Sequence, residues 1–164
     1  MEDRSTADAA LLADAALLSD WGQAYLAVNQ ATAVMFAEVT RQTGLSRGMA
    51  EALMRLTVKW SGRMAMNELA RASDYTAGGM SKLADRLVAA GLVEREAQPE
   101  DRRVVKLVLT ADGWDMARRV QHLAAEELRT QVVDRVGEEL FTDFVASAAQ
   151  LRQQLADPPR TAPR

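Results

Sequence analysis

Two adjacent arginines, Arg102 and Arg103, stand inside the stretch REAQPEDRRVVKLVLT at residues 95–110. Val104 to Leu109 is rich in β-branched and apolar residues, and Pro99, Glu100 and Asp101 make a polar break before it. The stretch therefore reads as two short strands joined by a turn. A hairpin turn asks for Gly, Asn or Asp to meet its backbone geometry, and arginine supplies none of that. Cations at such a tip point to a partner outside the hairpin. A guanidinium is planar, permanently charged and weakly hydrated for a cation, which suits it to the narrow, strongly negative minor groove of DNA. Lys106 would lie near the phosphates. The plainer alternative is that one arginine pairs with Asp101, Asp85 or Glu100 and only braces the loop.

Other chemistries find less support. The 164 residues include no cysteine, which excludes disulfides, thiolate nucleophiles and a thiol-oxidation switch. His122 is the single histidine, so a histidine-rich metal cluster cannot be built, and no cofactor is expected. A hydrolytic triad would have to be drawn from Ser81, His122 and Asp115, which are expected on different elements with no strained nucleophile turn or glycine-rich phosphate loop around them. No enzyme is expected.

The elements that must hold the arginines come next. A composition 48% hydrophobic and 26% charged is ordinary for a soluble globular chain that buries a core as one domain or two small ones. The net charge of −3 is unevenly spread: residues 1–40 carry one arginine against six acids, residues 41–119 fourteen cations against ten acids, and residues 120–164 five against seven. A basic centre between acidic ends suggests that the middle of the chain meets a polyanion. Asp3, Asp8 and Asp14 among short Ala/Leu runs, with no cationic lead into a long apolar segment, predict neither a signal peptide nor a membrane span, and so the cytoplasm.

From Leu18 onward, Leu18, Trp21, Tyr25, Val28, Thr32, Met35 and Val39 alternate steps of three and four, the stripe of a long helix that wants a partner helix. Gly44 ends it, and Ser46 caps a second helix through Met49, Leu53, Leu56 and Val58. WSGR at 60–63 is a break. Asn67 to Ala72 and Ala77 to Ala90 follow as helices, the first with Leu69 and Ala70 inward, the second with Met80, Leu83, Leu87 and Val88 inward and Thr76 as its cap. The link RASDY is short enough to force a sharp crossing, as in a helix-turn-helix. Gly91 closes that helix with a left-handed cap and leads into the hairpin. Thr110 with Asp112 starts another long helix, interrupted at Gly137, and Leu140, Phe144, Ala148, Leu151 and Leu155 continue as a last one. DPPRTAPR reads as a disordered tail.

Helices, a turn, a helix and a two-stranded hairpin are the order of a winged helix-turn-helix. The stretch MNELARASDYTAGGMSKLADRLVAAGLVEREAQPEDRRVVKLVLTADG resembles the DNA-binding core of the MarR family, the multiple antibiotic resistance regulators. The family's wing signature, Asp-x-Arg, five residues, then Leu-Thr, is matched at Asp101, Arg103, Leu109 and Thr110; DRL at 85–87 and GLVER at 91–95 also fit. The likeness covers roughly residues 64–115. It implies a mainly α fold with a small β wing, a winged helix-turn-helix flanked by long N- and C-terminal dimerisation helices. The division expected is residues 1–45 as the first dimerisation helix, 46–110 as the DNA-binding domain, 111–156 as the last dimerisation helices, and 157–164 as tail.

On the helix from Ala77, Gly78 and Gly79 each cost about 1 kcal/mol against alanine in a helix and offer no side chain to a base. On one reading they admit the backbone close to a groove, leaving Thr76, Ser81 and Lys82 to read bases and phosphates; on the other the module is degenerate and no longer binds DNA. Tyr75 is suited either to a phosphate or to packing on a neighbouring helix, and Arg86 to a brace or a phosphate contact. Arg47, Arg55, Lys59, Arg63 and Arg71 read as solvated helix faces. The apolar long helices predict a two-fold homodimer on double-stranded DNA, its winged domains about 34 Å apart, on a palindromic operator. The resemblance implies repression as the usual outcome, and release by a small aromatic effector for which Trp21, Tyr25 and His122 are candidates; the plainer alternative puts the two aromatics in the core or dimer interface and the histidine on the surface. The contrasting expectation is a dimeric interaction protein, antirepressor-like, that keeps the fold without binding DNA.

Overall fold

The computed structural model describes residues 2–58, 61–97 and 105–156, with side chains from residue 11 onward. Helix α1 runs from Glu2 to Thr43, sixteen residues earlier than the apolar stripe alone suggests. Alanine and leucine continue the helix where no packing partner marks it. At its other end Glu38 accepts hydrogen bonds from Arg41 and Gln42, and these hold its carboxyl down to about 2. Gly44 takes φ +71, a left-handed conformation that stops the helix. The Ser46 hydroxyl then accepts from Met49 N at 3.4 Å and starts α2, Arg47–Thr57.

A short strand follows, β1 (Arg63–Ala65), then α3 (Met66–Ala72), α4 (Ala77–Ala89), β2 (Val93–Ala97) and β3 (Val105–Leu109). The three strands form one antiparallel sheet in the order β1-β3-β2. The expected two-stranded hairpin is thus corrected to three strands. β1 escapes a local reading because Arg-Met-Ala lacks β-branched residues and is held by distant pairing, Arg63 opposite Val108 and Ala65 opposite Lys106. Val88, expected inward, is 40% exposed: the buried stripe of α4 is Met80, Leu83, Ala84 and Leu87, and Val88 lies to one side of it.

Helix α5 (Ala111–Leu128) passes through a π-helical turn at Arg129–Val133 into the short α6 (Asp134–Val136). Gly137, at φ +87, breaks the run before α7 (Glu138–Ala156). One core joins the winged region to the inner parts of the long helices: Val39 from α1, Leu53 and Leu56 from α2, Leu69, Met80, Leu83 and Leu87 from the helix pair, Val93 and Leu107 from the sheet and Val120 from α5 are all essentially inaccessible. Neither the outer part of α1 nor any part of α7 joins it, and Leu18, Trp21, Tyr25, Val28, Leu140 and Phe144 are exposed. Among the described residues no helix is long and apolar enough to cross a membrane.

Candidate nucleic-acid interface

The turn between α3 and α4 is built by backbone bonds from Ser73 N and Tyr75 N back to Ala70 O, with Asp74 in the left-handed region at φ 55. Asparagine and aspartate tolerate that conformation better than most side chains. Thr76 then adopts extended geometry, and its hydroxyl accepts from Gly79 N at 3.1 Å, capping α4. Because Met80, Leu83, Ala84 and Leu87 are buried, helical spacing turns Gly78, Ser81, Lys82 and Asp85 outward on one stripe, with Arg86 beside it. Arg86 Nε bonds Lys82 O at 3.4 Å, so its side chain folds back along the helix.

The two glycines differ. A Cβ at Gly78 would meet nothing within 4 Å, whereas one at Gly79 would lie 3.2 Å from Thr76 Oγ1 and 3.3 Å from Tyr75 Cδ1. Packing within the chain accounts for Gly79, and among the described residues nothing stands where a Cβ of residue 78 would go. Tyr75 is half-buried, and its hydroxyl sits over Gly48 in the first turn of α2, where a β-carbon would collide with it. Of the two roles open to Tyr75, packing on a neighbouring helix is the one its position displays.

In the wing, Lys106 lies on the central strand opposite Glu96 and beside Ala65. Arg63, by pattern a solvated helix cation, is instead on β1 and reaches Glu96 at 4.0 Å. Residues 98–104 lie outside the described residues, and Arg102 and Arg103 with them, as does Asp101 of the wing signature. The other half of that signature is legible. Leu109 is buried, and the Thr110 hydroxyl accepts from Gly113 N at 2.9 Å while donating to Gly91 O at 2.6 Å. One side chain therefore caps α5 and ties it to the turn that ends α4.

A residue that sequence reasoning notices only as part of GLVER joins wing to helix: Arg95 Nη1 lies 2.8 Å from Asp85 Oδ1, and its Nη2 donates to Ser81 O at 3.4 Å. The other cations divide. Arg47 pairs with Glu51 at 2.7 Å and lies over the Phe36 ring, 5.2 Å from its centroid. Arg71 Nε bonds Asn67 O at 3.3 Å, and Arg55, expected on a solvated face, is half-buried with its Nε enclosed. Lys59 is outside the described residues.

Trp21 and Tyr25 are 62% and 63% exposed on α1, and His122 is exposed on α5, 3.5 Å from Glu126. A concavity opens elsewhere, between α3, α4 and β3, lined by Met66, Asn67, Arg71, Tyr75, Met80 and Val105 and by none of those three. Asp115 and His122, expected on different elements, are both on the continuous α5, where Asp115 pairs with Arg118; Ser81 is on α4.

A three-helix unit with a capped, outward-facing α4 and a three-stranded sheet behind it, set on long flanking helices, is a winged helix-turn-helix. Residues 61–104 match the model of the MarR family. The crystal structure of AbsC, a MarR family transcriptional regulator from Streptomyces coelicolor, superposes with a TM-score of 0.70 over 84% of this chain and 93% of that one, at 26% identity. Sco3205, a MarR family regulator of the same organism crystallised in complex with DNA, shares the fold with a TM-score of 0.71 over 88% and 90% of the two chains, at 23% identity. An uncharacterised helix-turn-helix-type transcriptional regulator of Bacillus subtilis, YcgE, is 33% identical over 98 residues. That match spans 57% of this chain and 62% of YcgE, less than two thirds of its length. The chain is thus similar to the MarR family across its winged region and shares the fold of the family's solved members.

Proposed function

We propose that the protein is a sequence-specific DNA-binding transcription regulator that acts in the cytoplasm as a homodimer and represses by occupying a palindromic operator. Residues 46–110 are the DNA-binding domain, and residues 1–45 and 111–156 supply the dimerisation helices. The observation that carries this reading is α4: its inner stripe is sealed in the core, while its outer stripe offers a glycine that no described residue crowds, then Ser81 and Lys82. A helix of this kind presents its N-terminal residues to base edges in a major groove. The exposed Leu18, Trp21, Tyr25 and Val28 on α1 and Leu140 and Phe144 on α7 supply the second copy's contact surface. Trp21, Tyr25 and His122 become parts of an aromatic-effector site only where that second copy completes one.

Genomic fragments captured by the protein, assayed by mobility shift across a salt series, test the proposal. Affinity falls steeply as salt rises, because each neutralised phosphate releases counterions. Replacing Arg102 and Arg103 by alanine flattens the slope of log K against log salt by about one for each phosphate that is no longer neutralised. If the wild type shifts no fragment even at low salt, the dimeric interaction protein takes the place of the regulator.

A further inference from the structure

Arg95 sits on β2 between Glu94 and Glu96, but its cross-strand neighbour is the buried Leu107. Opposed residues in an antiparallel pair point to the same side of the sheet, so Arg95 leaves the face that carries its acidic neighbours and heads toward α4. There its guanidinium spans one helical turn, from the Ser81 carbonyl oxygen at 3.4 Å to the Asp85 carboxylate at 2.8 Å. Asp85 belongs to the same outward stripe as Gly78, Ser81 and Lys82. A carboxylate on a surface offered to a polyanion weakens binding by its charge alone, so its presence calls for a compensating use.

We infer that Arg95 and Asp85 are positioning residues, a strut that fixes the wing's angle to α4 so that helix and hairpin engage one half-site together. This rests on the DNA-binding reading above. The ion pair is partly exposed, with 38% and 60% of the two side chains accessible, so it adds little to global stability. Its effect lies in the fraction of molecules whose wing is correctly set, and apparent affinity scales with that fraction.

The test is a double-mutant cycle on the full-length protein with a captured genomic fragment, reading affinity, salt slope and thermal midpoint. Charge alone predicts that Asp85→Ala binds more tightly, since it removes a negative group. The strut predicts the opposite: Asp85→Ala and Arg95→Ala each bind about fivefold more weakly per half-site. It further predicts an unchanged salt slope, a thermal midpoint close to the wild type's, and a double variant no worse than either single one. Asp85→Glu, which keeps the carboxylate, stays within about twofold of wild type. Tighter or unchanged binding by Asp85→Ala overturns the inference. So does an Arg95→Ala variant that alone weakens binding with a slope smaller by about one, because Arg95 would then touch a phosphate itself. A wild type that binds no fragment sinks the regulator reading first, and the strut with it.

Discussion

At the scale of single residues, the proposed DNA contact at Gly78 would set affinity against helix stability. The space around its missing Cβ is open, so Gly78→Ala meets no clash inside the chain. Alanine also restricts the unfolded chain and favours the helix, a gain of up to about 1 kcal/mol. If the glycine admits a groove, the same variant loses affinity on the order of tenfold, the scale of one base pair's readout. Thermal melting and mobility shift on one preparation read both signs. A variant more stable and equally tight would show that no surface comes close to Gly78. Gly79→Ala differs, since its Cβ presses on Thr76 Oγ1 and Tyr75 Cδ1, and no stability gain is expected. Residue type alone offers Gly78 and Gly79 one shared explanation; only the positions of Tyr75 and Thr76 separate them. Tyr75 is similar: its residue type suits two roles, and the packing against Gly48 that displays one of them spans 27 positions.

At the scale of elements, the joints carry the argument, and Thr110 shows how much one joint does. Its hydroxyl serves the first turn of α5 and the Gly91 carbonyl at once. Thr110→Val keeps the shape and removes both bonds, at a cost of about 1–2 kcal/mol. Gly113, three residues on, has Leu92 backbone where a Cβ would stand, so Gly113→Ala must push main chain aside and costs about 2–3 kcal/mol. Urea unfolding midpoints measure both; a Gly113→Ala variant as stable as the wild type would mean that α5 is free to shift. The joints were legible because they are local. Ser46, Thr76 and Thr110 cap the helices they precede, and Gly44, Gly91 and Gly137 take left-handed or positive φ at the breaks expected of them. What could not be read locally depends on partners far along the chain: β1 exists because Arg63 to Ala65 find β3, and Arg95 matters because ten residues of chain bring it back to Asp85.

At the scale of the whole molecule, the long helices present an apolar surface that none of the described residues covers. The three-and-four spacing from Leu18 to Val39 predicts the stripe, and the structure divides it: Val39 is in the core and Met35 packs against it, while Leu18 through Val28 stand open. A residue pattern cannot say where a helix leaves its own core, since both halves of the stripe look alike. We expect Tyr25→Glu combined with Phe144→Glu to give a folded monomer in sedimentation, with helical content retained and operator affinity lowered by on the order of a hundredfold or more, because each half-site is then bound alone. A double variant that stays dimeric would place the interface elsewhere.

The most direct test of a dimeric regulator reading DNA with two α4 helices is a hydroxyl-radical footprint on a captured genomic fragment, with the protein-to-DNA ratio measured at saturation. Two symmetric protected patches centred about one helical turn apart, roughly 34 Å, at two chains per site, are predicted. Protection of a single patch by one chain, or no protection at low salt, would contradict it.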